Sequence, residues 1–273
     1  MAALLQLYFH QFLIFMLVLT RMSTLVMTLP AIGGNGVPMQ VKALLAVSIA
    51  LLITPLHWGV EVQPPENLAA LAGLLAKEAL LGLAVGLSLH LLVAAMQLAG
   101  QIIGQVSGLS LADVFDPTFE DNISIYAQFL ETTAVAVFFV VGGHRKLIDA
   151  LAVSFHWMPP GQGHLPPDLP EALADIAGRS FEVALRASAP IMLALLLATL
   201  IVAVISRTLP QLNSIAVGLN FNSLVVLAAT ATCIGSAAWV FQDEIGPALN
   251  RVTSVFDQSA DAAANMPGRR YGQ

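Results

Sequence analysis

The residues able to do chemistry in this chain are few, and they sit in apolar surroundings. Arg21 falls midway through an apolar run from Tyr8 to Leu29. A guanidinium there is expensive in hydrocarbon and needs a partner or a water-filled space. It reads either as half of a buried structural ion pair or as a residue of a pore or subunit contact. Glu78 is a candidate partner, for Arg21 or equally for Arg186. Lys77 adjoins Glu78, but neighbouring residues do not face each other on a helix. It needs a different partner, and a helix-end position at an interface is its simplest reading. Further on, Gln97, Gln101 and Gln105 recur every four residues, which stacks their amides on one helical face. Gly82, Gly86, Gly100, Gly104 and Gly108 supply small residues at the same step in two sets, allowing helices to approach closely. Packing within the chain, an interhelical contact with another chain, and a water-lined path all fit this stripe.

Several chemistries are missing. His10, His57, His90, His144, His156 and His164 show no metal-ligand spacing, and no H-E-x-x-H, Walker A or nucleophile-elbow pattern occurs. The single Cys233 lies in an apolar run, so neither a disulfide framework nor a cysteine-rich metal site can form. The pattern calls for no catalytic residue, no cofactor and no metal. A membrane metalloprotease and an ATPase are both disfavoured, and any energy input has to come from another protein or an ion gradient.

The elements that must position these residues are membrane helices. Of the 273 residues, 57% are hydrophobic and 10% are charged, where soluble domains carry about a quarter charged residues. The mean hydropathy is +0.80. A membrane helix needs roughly 20 apolar residues. The apolar stretches run from Tyr8 to Leu29, Val41 to Ile53, Leu68 to Ile103, Ile123 to Val141, Phe181 to Ile205 and Ile215 to Phe241. A helical pattern resumes from Leu147 to Phe155 after Gly142 and Gly143, and Pro190 is a candidate kink. The expected fold is therefore all-α, a polytopic membrane protein of about six hydrophobic helical segments. The third stretch is too long for one upright span, so it is tilted, broken or partly outside lipid. After Pro247 the chain turns polar and weakly amphipathic. We expect one domain over residues 1–265 and a disordered tail at 266–273.

Charge adds two expectations. The net charge is -6 and no basic patch occurs, so nucleic acid is not an expected partner. Lys42, Arg145, Lys146, Arg207, Arg251, Arg269 and Arg270 fall on no one side of an alternating topology, so the positive-inside rule gives no orientation. That failure suggests that some stretches are not ordinary bilayer spans. The first run lacks a basic n-region and reads as a retained helix.

Local patterns spread over nearly the whole chain resemble the FliR family of export-gate proteins. They are Arg21-Met22-Ser23, Pro30-Ala31-Ile32-Gly33 and Val37-Pro38, then Gln97-Leu98-Ala99-Gly100-Gln101-Ile102-Ile103-Gly104. Gly108-Leu109-Ser110, Asp116-Pro117, Gly143-His144, Ser154-Phe155, Pro159 and Arg207-Thr208-Leu209-Pro210-Gln211-Leu212-Asn213 follow in order. The resemblance implies a non-enzymatic part of the flagellar type III export gate in the bacterial inner membrane at the basal body. It implies a FliP-like N-terminal part and a FliQ-like C-terminal helical hairpin. The implied partners are FliP-like and FliQ-like subunits, FlhB-like and FlhA-like export proteins, the basal-body ring, and exported unfolded polypeptides. Injectisome gate subunits share much of the pattern, and Gly143-His144 with Ser154-Phe155 leans towards the flagellar branch. A small-solute transporter is the alternative of another class, although no internal repeat supports it.

The resemblance also implies a pore plug between the third and fourth stretches, matching Gly108 to Asn122. Leu111, Val114, Phe115, Asp116 and Pro117 are the candidate plug residues. Apolar side chains suit a seal, because a hydrophobic constriction gates by dewetting, and Pro117 prevents a continuous helix. The candidate buried polar or assembly positions are Arg21, Glu78, Gln97, Gln101 and Arg207.

Overall fold

The apolar runs become helices because their inward positions recur at steps of three and four. In α1 (Ala2–Thr28) the buried stripe is Ile14, Leu17, Val18, Arg21, Met22 and Leu25. In α4 (Leu68–Ser107) it runs through Glu78, Leu81, Val85, Leu89, Leu92 and Met96. Each is the one-sided pattern of a packed helix, and each contains one charged member. Capping fixes the helix starts. Asn67 Oδ1 accepts from Ala70 N–H at the head of α4, and Ser124 Oγ accepts from Ala127 N–H at the head of α5 (Ile125–Val140).

The computed structural model describes residues 2–33, 37–108, 124–162, 165–208 and 214–264. Every regular element among them is helical. Besides α1, α4 and α5 these are α2 (Pro30–Gly33), α3 (Met39–Ile53) with a 3₁₀ turn at Thr54–His57, α6 (Gly143–Trp157), α7 (Leu169–Thr208) and α8 (Ser214–Ala264). Five helices are long and apolar enough to cross a bilayer, and a sixth span results if α5 and α6 count as one broken span. The chain is an all-α polytopic membrane protein. Gly142, at φ 77°, makes the break between α5 and α6 in a conformation that side chains with a Cβ avoid.

Three expectations about extent change. The third apolar stretch is one unbroken helix of 40 residues, about 60 Å long against a hydrocarbon core of ~30 Å. A break is excluded there, leaving tilt or a part outside lipid. It is also the most enclosed of the long helices, with 61% of its apolar window buried against 22% for α7. Next, α7 starts at Leu169, well before Phe181. Glu171, Asp175 and Arg179 shorten the apolar window without interrupting the buried series Leu169, Ile176, Ser180, Val183 and Ala187. Finally, α8 continues through Pro247 to Ala264, because Phe241, Ile245, Leu249, Val252 and Phe256 keep a buried face in helical register across the proline. Pro190 likewise lies inside α7. The expected tail at 266–273 lies outside the described residues.

The chain packs as two compact units. The first comprises Met1–His90, Gly143–Ile176 and Gly246–Gln273. In it α1 and the first half of α4 run parallel at very close range. A Cβ on Gly82 would run into the Arg21 carbonyl oxygen and Thr24 Oγ1, and one on Gly86 into Thr28. The second comprises Leu91–Gly142 and Ala177–Ile245. There the end of α4 lies against the start of α5: a Cβ on Gly100 would run into Ala127, and one on Gly104 into Ser124 Oγ. Both glycine pairs thus serve helix packing within the chain. In the same unit α7 and α8 form an antiparallel pair, with Arg179 4.0 Å from Glu244 and Val202 beside Gly218.

Candidate functional site

A buried charge cluster in the first unit is centred on Arg21. Its position in the inward stripe of α1 leaves it no route to solvent, and its side chain has 0% exposure. The third turn of α4 brings Glu78 opposite, at 1% exposure. Arg21 Nε donates to Glu78 Oε2 at 2.6 Å, and Nη2 lies 2.6 Å from the same oxygen. Of the two arginines open to Glu78, the structure brings Arg21. Arg186 instead pairs with Glu182 one turn away on exposed α7 surface.

The rest of the guanidinium caps the end of α6. Nη1 donates to the Ser154 carbonyl at 3.2 Å and to Ser154 Oγ at 3.1 Å. Nη2 donates to the Met158 carbonyl at 3.0 Å. A guanidinium has five N–H donors, and these contacts engage the whole fork. The Ser154 carbonyl also accepts from Met158 N–H, while the Met158 carbonyl lies just past the helix, and the C-terminal end of a helix favours a cation, which suits an arginine there. The Phe155 ring covers the charge, with its centroid 4.2 Å from Arg21 Cζ, and His57 packs on Phe155 at 5.2 Å. Glu78 has a further donor, because Gly161 N–H reaches Oε1 at 2.9 Å.

Gly161 is required twice over. Its φ is 77°, and a Cβ there would press on Val62 and Leu17. The next residue, Gln162, donates from Nε2 to the Glu61 carbonyl at 2.8 Å. One ion pair therefore joins α1, α4, the end of α6 and the loop beyond it. A paired charge with its hydrogen bonds satisfied is tolerated away from water, whereas a lone one is not. With no exposed face, this cluster offers nothing to a solute in solution; its chemistry is that of a clasp.

The other expected positions are scattered. Gln97 and Gln101 lie half-buried on α4 and Gln105 is exposed. Lys77 is exposed on the same helix, inside it rather than at its end. Arg207 is exposed in the last turn of α7, where a cation suits the helix dipole, so any assembly contact it makes is with another chain. Leu111, Val114, Phe115, Asp116 and Pro117 lie outside the described residues.

Sequence reasoning missed Gly161, the Met158 carbonyl and the Phe155 cover. It also missed Thr24 and Thr28, whose four-residue step matches that of Gly82 and Gly86. Ser154-Phe155 was visible only as a motif, and its place beside Arg21 came from the fold. Among the described residues no three His, Cys, Asp or Glu side chains are placed to hold a metal. A cleft of about 270 Å³ in the first unit is lined by Lys146, Asp149, Val153, Leu249, Asn250 and Thr253. It holds one cation, one carboxylate and no nucleophile paired with a base.

Neither cluster nor cleft identifies a reaction, so comparison with known proteins carries the assignment. Residues 12–248 match the family described as Bacterial export proteins, family 1. The chain is similar to the flagellar biosynthetic protein FliR of Bacillus subtilis (strain 168), at 31% identity over 81% of this chain and 85% of the relative. It is similar to that of Pectobacterium carotovorum subsp. carotovorum at 33% identity over 72% and 75%. For Escherichia coli (strain K12) the identity is 30% over 91% and 92%. A match of this length takes in α4, both glycine pairs and the Arg21 clasp alike, and the chain belongs to the bacterial export proteins of family 1, the family of the flagellar biosynthetic protein FliR.

Proposed function

We propose that this chain is a subunit of the flagellar type III protein export gate, a channel for unfolded flagellar subunits built together with FliP-like and FliQ-like proteins. It sits in the bacterial inner membrane at the flagellar basal body, next to FlhB-like and FlhA-like export proteins and the basal-body ring. Residues 1–265 act as one gate domain with a FliP-like N-terminal part and a FliQ-like hairpin of α7 and α8. The chain is not an enzyme; its family is one of export proteins. The observation that supports this reading most directly is the full-length similarity to flagellar relatives. Against an injectisome gate stands the fact that the relatives named above are all flagellar proteins.

Phe181, Leu185, Leu193, Leu196, Leu200 and Val204 are exposed along α7, an apolar face that suits either lipid or the helices of a partner subunit. We further propose that Leu111, Val114, Phe115, Asp116 and Pro117 belong to the plug of the resting channel. Deleting Leu111–Phe115 tests this. The assembled complex should form in parental amount and conduct small ions at rest. Equal, low conductance of equal amounts of parental and deleted complex would remove these residues from the seal.

A further inference from the structure

The cleft in the first unit is formed by one face of each of two helices. Lys146, Asp149 and Val153 line it from α6, and Gly246, Leu249 and Asn250 from α8. Both sets follow the step of a single helical face. Leu249 is buried and Val153 half-buried, which makes an apolar floor, while Lys146, Asp149 and Asn250 are exposed at the rim. Gly246 leaves room for the lysine: a Cβ there would stand 3.5 Å from Lys146 Nζ.

The two charges of the cleft do not neutralise each other. Lys146 and Asp149 stand three residues apart on α6, a spacing at which opposite charges pair, yet neither has an ion pair or a side-chain hydrogen bond among the described residues. Arg251, next to Asn250 on α8, is taken by Asp175. Thr253 Oγ1 turns back to the Asn250 carbonyl at 3.1 Å, and the Asn250 side-chain amide bonds to no described residue. An ammonium, a carboxylate and an amide thus stand open around one apolar floor. The cleft also lies where apolar chain ends. Arg145 and Lys146 are the first charges after the α5 run, and Asp243 and Glu244 the first after the α8 run that ends at Phe241. Trp239 is exposed just before that end, as indoles are at membrane–water boundaries. Gly246 follows Phe241 by five residues, about 8 Å of helical rise, and a headgroup layer is roughly 5–8 Å deep.

We propose that this cleft binds the headgroup of a zwitterionic, amine-bearing phospholipid. The Lys146 ammonium donates to the phosphate oxygens, and the Asp149 carboxylate, one helical turn away, accepts from the lipid's primary ammonium. The Asn250 amide offers a further donor and acceptor, and Val153 and Leu249 receive the glycerol carbons. A volume of about 270 Å³ falls just below the range of small-molecule sites, roughly 300–1,000 Å³. It takes a headgroup whose acyl chains stay in the bilayer, and it is too small for a partner helix. One cation and one carboxylate match a headgroup that carries one charge of each sign. An anionic headgroup would meet Asp149 with like charge. A trimethylammonium headgroup keeps the positive charge but has no N–H for the carboxylate. The bound lipid would hold the polar end of α8 against α6 at a fixed depth.

The test uses the assembly purified through a tagged chain and native mass spectrometry, with dioleoyl lipids that differ only in headgroup. Phosphatidylethanolamine should bind once per copy of this chain. Phosphatidylglycerol and phosphatidylcholine should bind about tenfold more weakly, the loss of one charge-assisted hydrogen bond. Lys146→Gln and Asp149→Asn should each weaken phosphatidylethanolamine by a similar factor at parental complex yield, because neither side chain holds another described residue. Asp149→Lys should reverse the order and favour phosphatidylglycerol. Equal binding of the three lipids by the parent, or an order unchanged by all three substitutions, would show only lipid dissolved around the helices and overturn the site. Two results would give the cleft to a protein contact and overturn it equally. One is loss of assembly in both Lys146→Gln and Asp149→Asn. The other is a parental assembly that binds no lipid there while a photoreactive side chain in place of Asn250 crosslinks to another subunit.

Discussion

Replacing Arg21 with alanine should weaken the first unit more than any other single side-chain truncation in it. Glu78, at 1% exposure, would lose its countercharge and keep only the Gly161 N–H. The Met158 carbonyl would lose the donor it has in Arg21, while the Ser154 carbonyl would retain Met158 N–H. The stranded carboxylate dominates. Removing one partner of a buried pair costs about 3–5 kcal/mol in soluble proteins, which is about two to three and a half powers of ten in the folded-to-open ratio. Pulse proteolysis of the assembled, detergent-solubilised complex across a urea series reads that ratio. Arg21→Lys should fall in between, since one ammonium cannot reach Glu78, Ser154 and Met158 together as the planar fork does. The sharper test is a second substitution. Glu78→Gln added to Arg21→Ala removes the unpaired charge and should recover part of the loss. If the double variant proves weaker than Arg21→Ala, or if Arg21→Ala matches the parent in proteolysis and complex yield, the clasp is not what holds α1, α4 and α6 together.

Two more substitutions separate close approach from propensity. Gly82→Ala should sharply lower complex yield because its Cβ meets the α1 backbone, whereas Gly73→Ala, with open space around it, should be neutral or stabilise by up to ~1 kcal/mol as alanine suits a helix better; equal yields would deny the tight α1–α4 contact. Gly161→Ala should increase proteolytic opening through its left-handed backbone and its pressure on Val62 and Leu17, while Gly59→Ala, which meets nothing, should not; matching digestion curves would contradict the role given to Gly161.

What could be read in advance follows from range. Helix identity is written locally, in the three-and-four step of apolar residues, so α1, α3, α4 and α5 were all legible. The extents of α7 and α8 were not, because hydropathy windows respond to charge and helices respond to a continuous buried face. Asp175 and Arg179 on α7 hid its first three turns, and the polar residues after Pro247 hid the last part of α8. The Arg21–Glu78 pairing joins residues 57 apart in the chain, and sequence alone left Arg186 as an equal partner. Ser154 and Phe155 come from farther still, and nothing local shows that the end of α6 needs a cation. The two glycine pairs were visible as small-residue steps, but only the opposing Thr24, Thr28, Ser124 and Ala127 show that they serve packing within the chain rather than a water-lined path.

The central claim, that the chain is a built-in part of an export gate, is tested most directly by mass spectrometry of the material copurifying with a tagged chain expressed from its native locus. A FliP-like and a FliQ-like protein should be recovered in fixed ratio to it, and the tagged chain expressed without them should be degraded or aggregate. A stable, monodisperse chain in mild detergent, alone or as a homo-oligomer, would contradict the gate assignment.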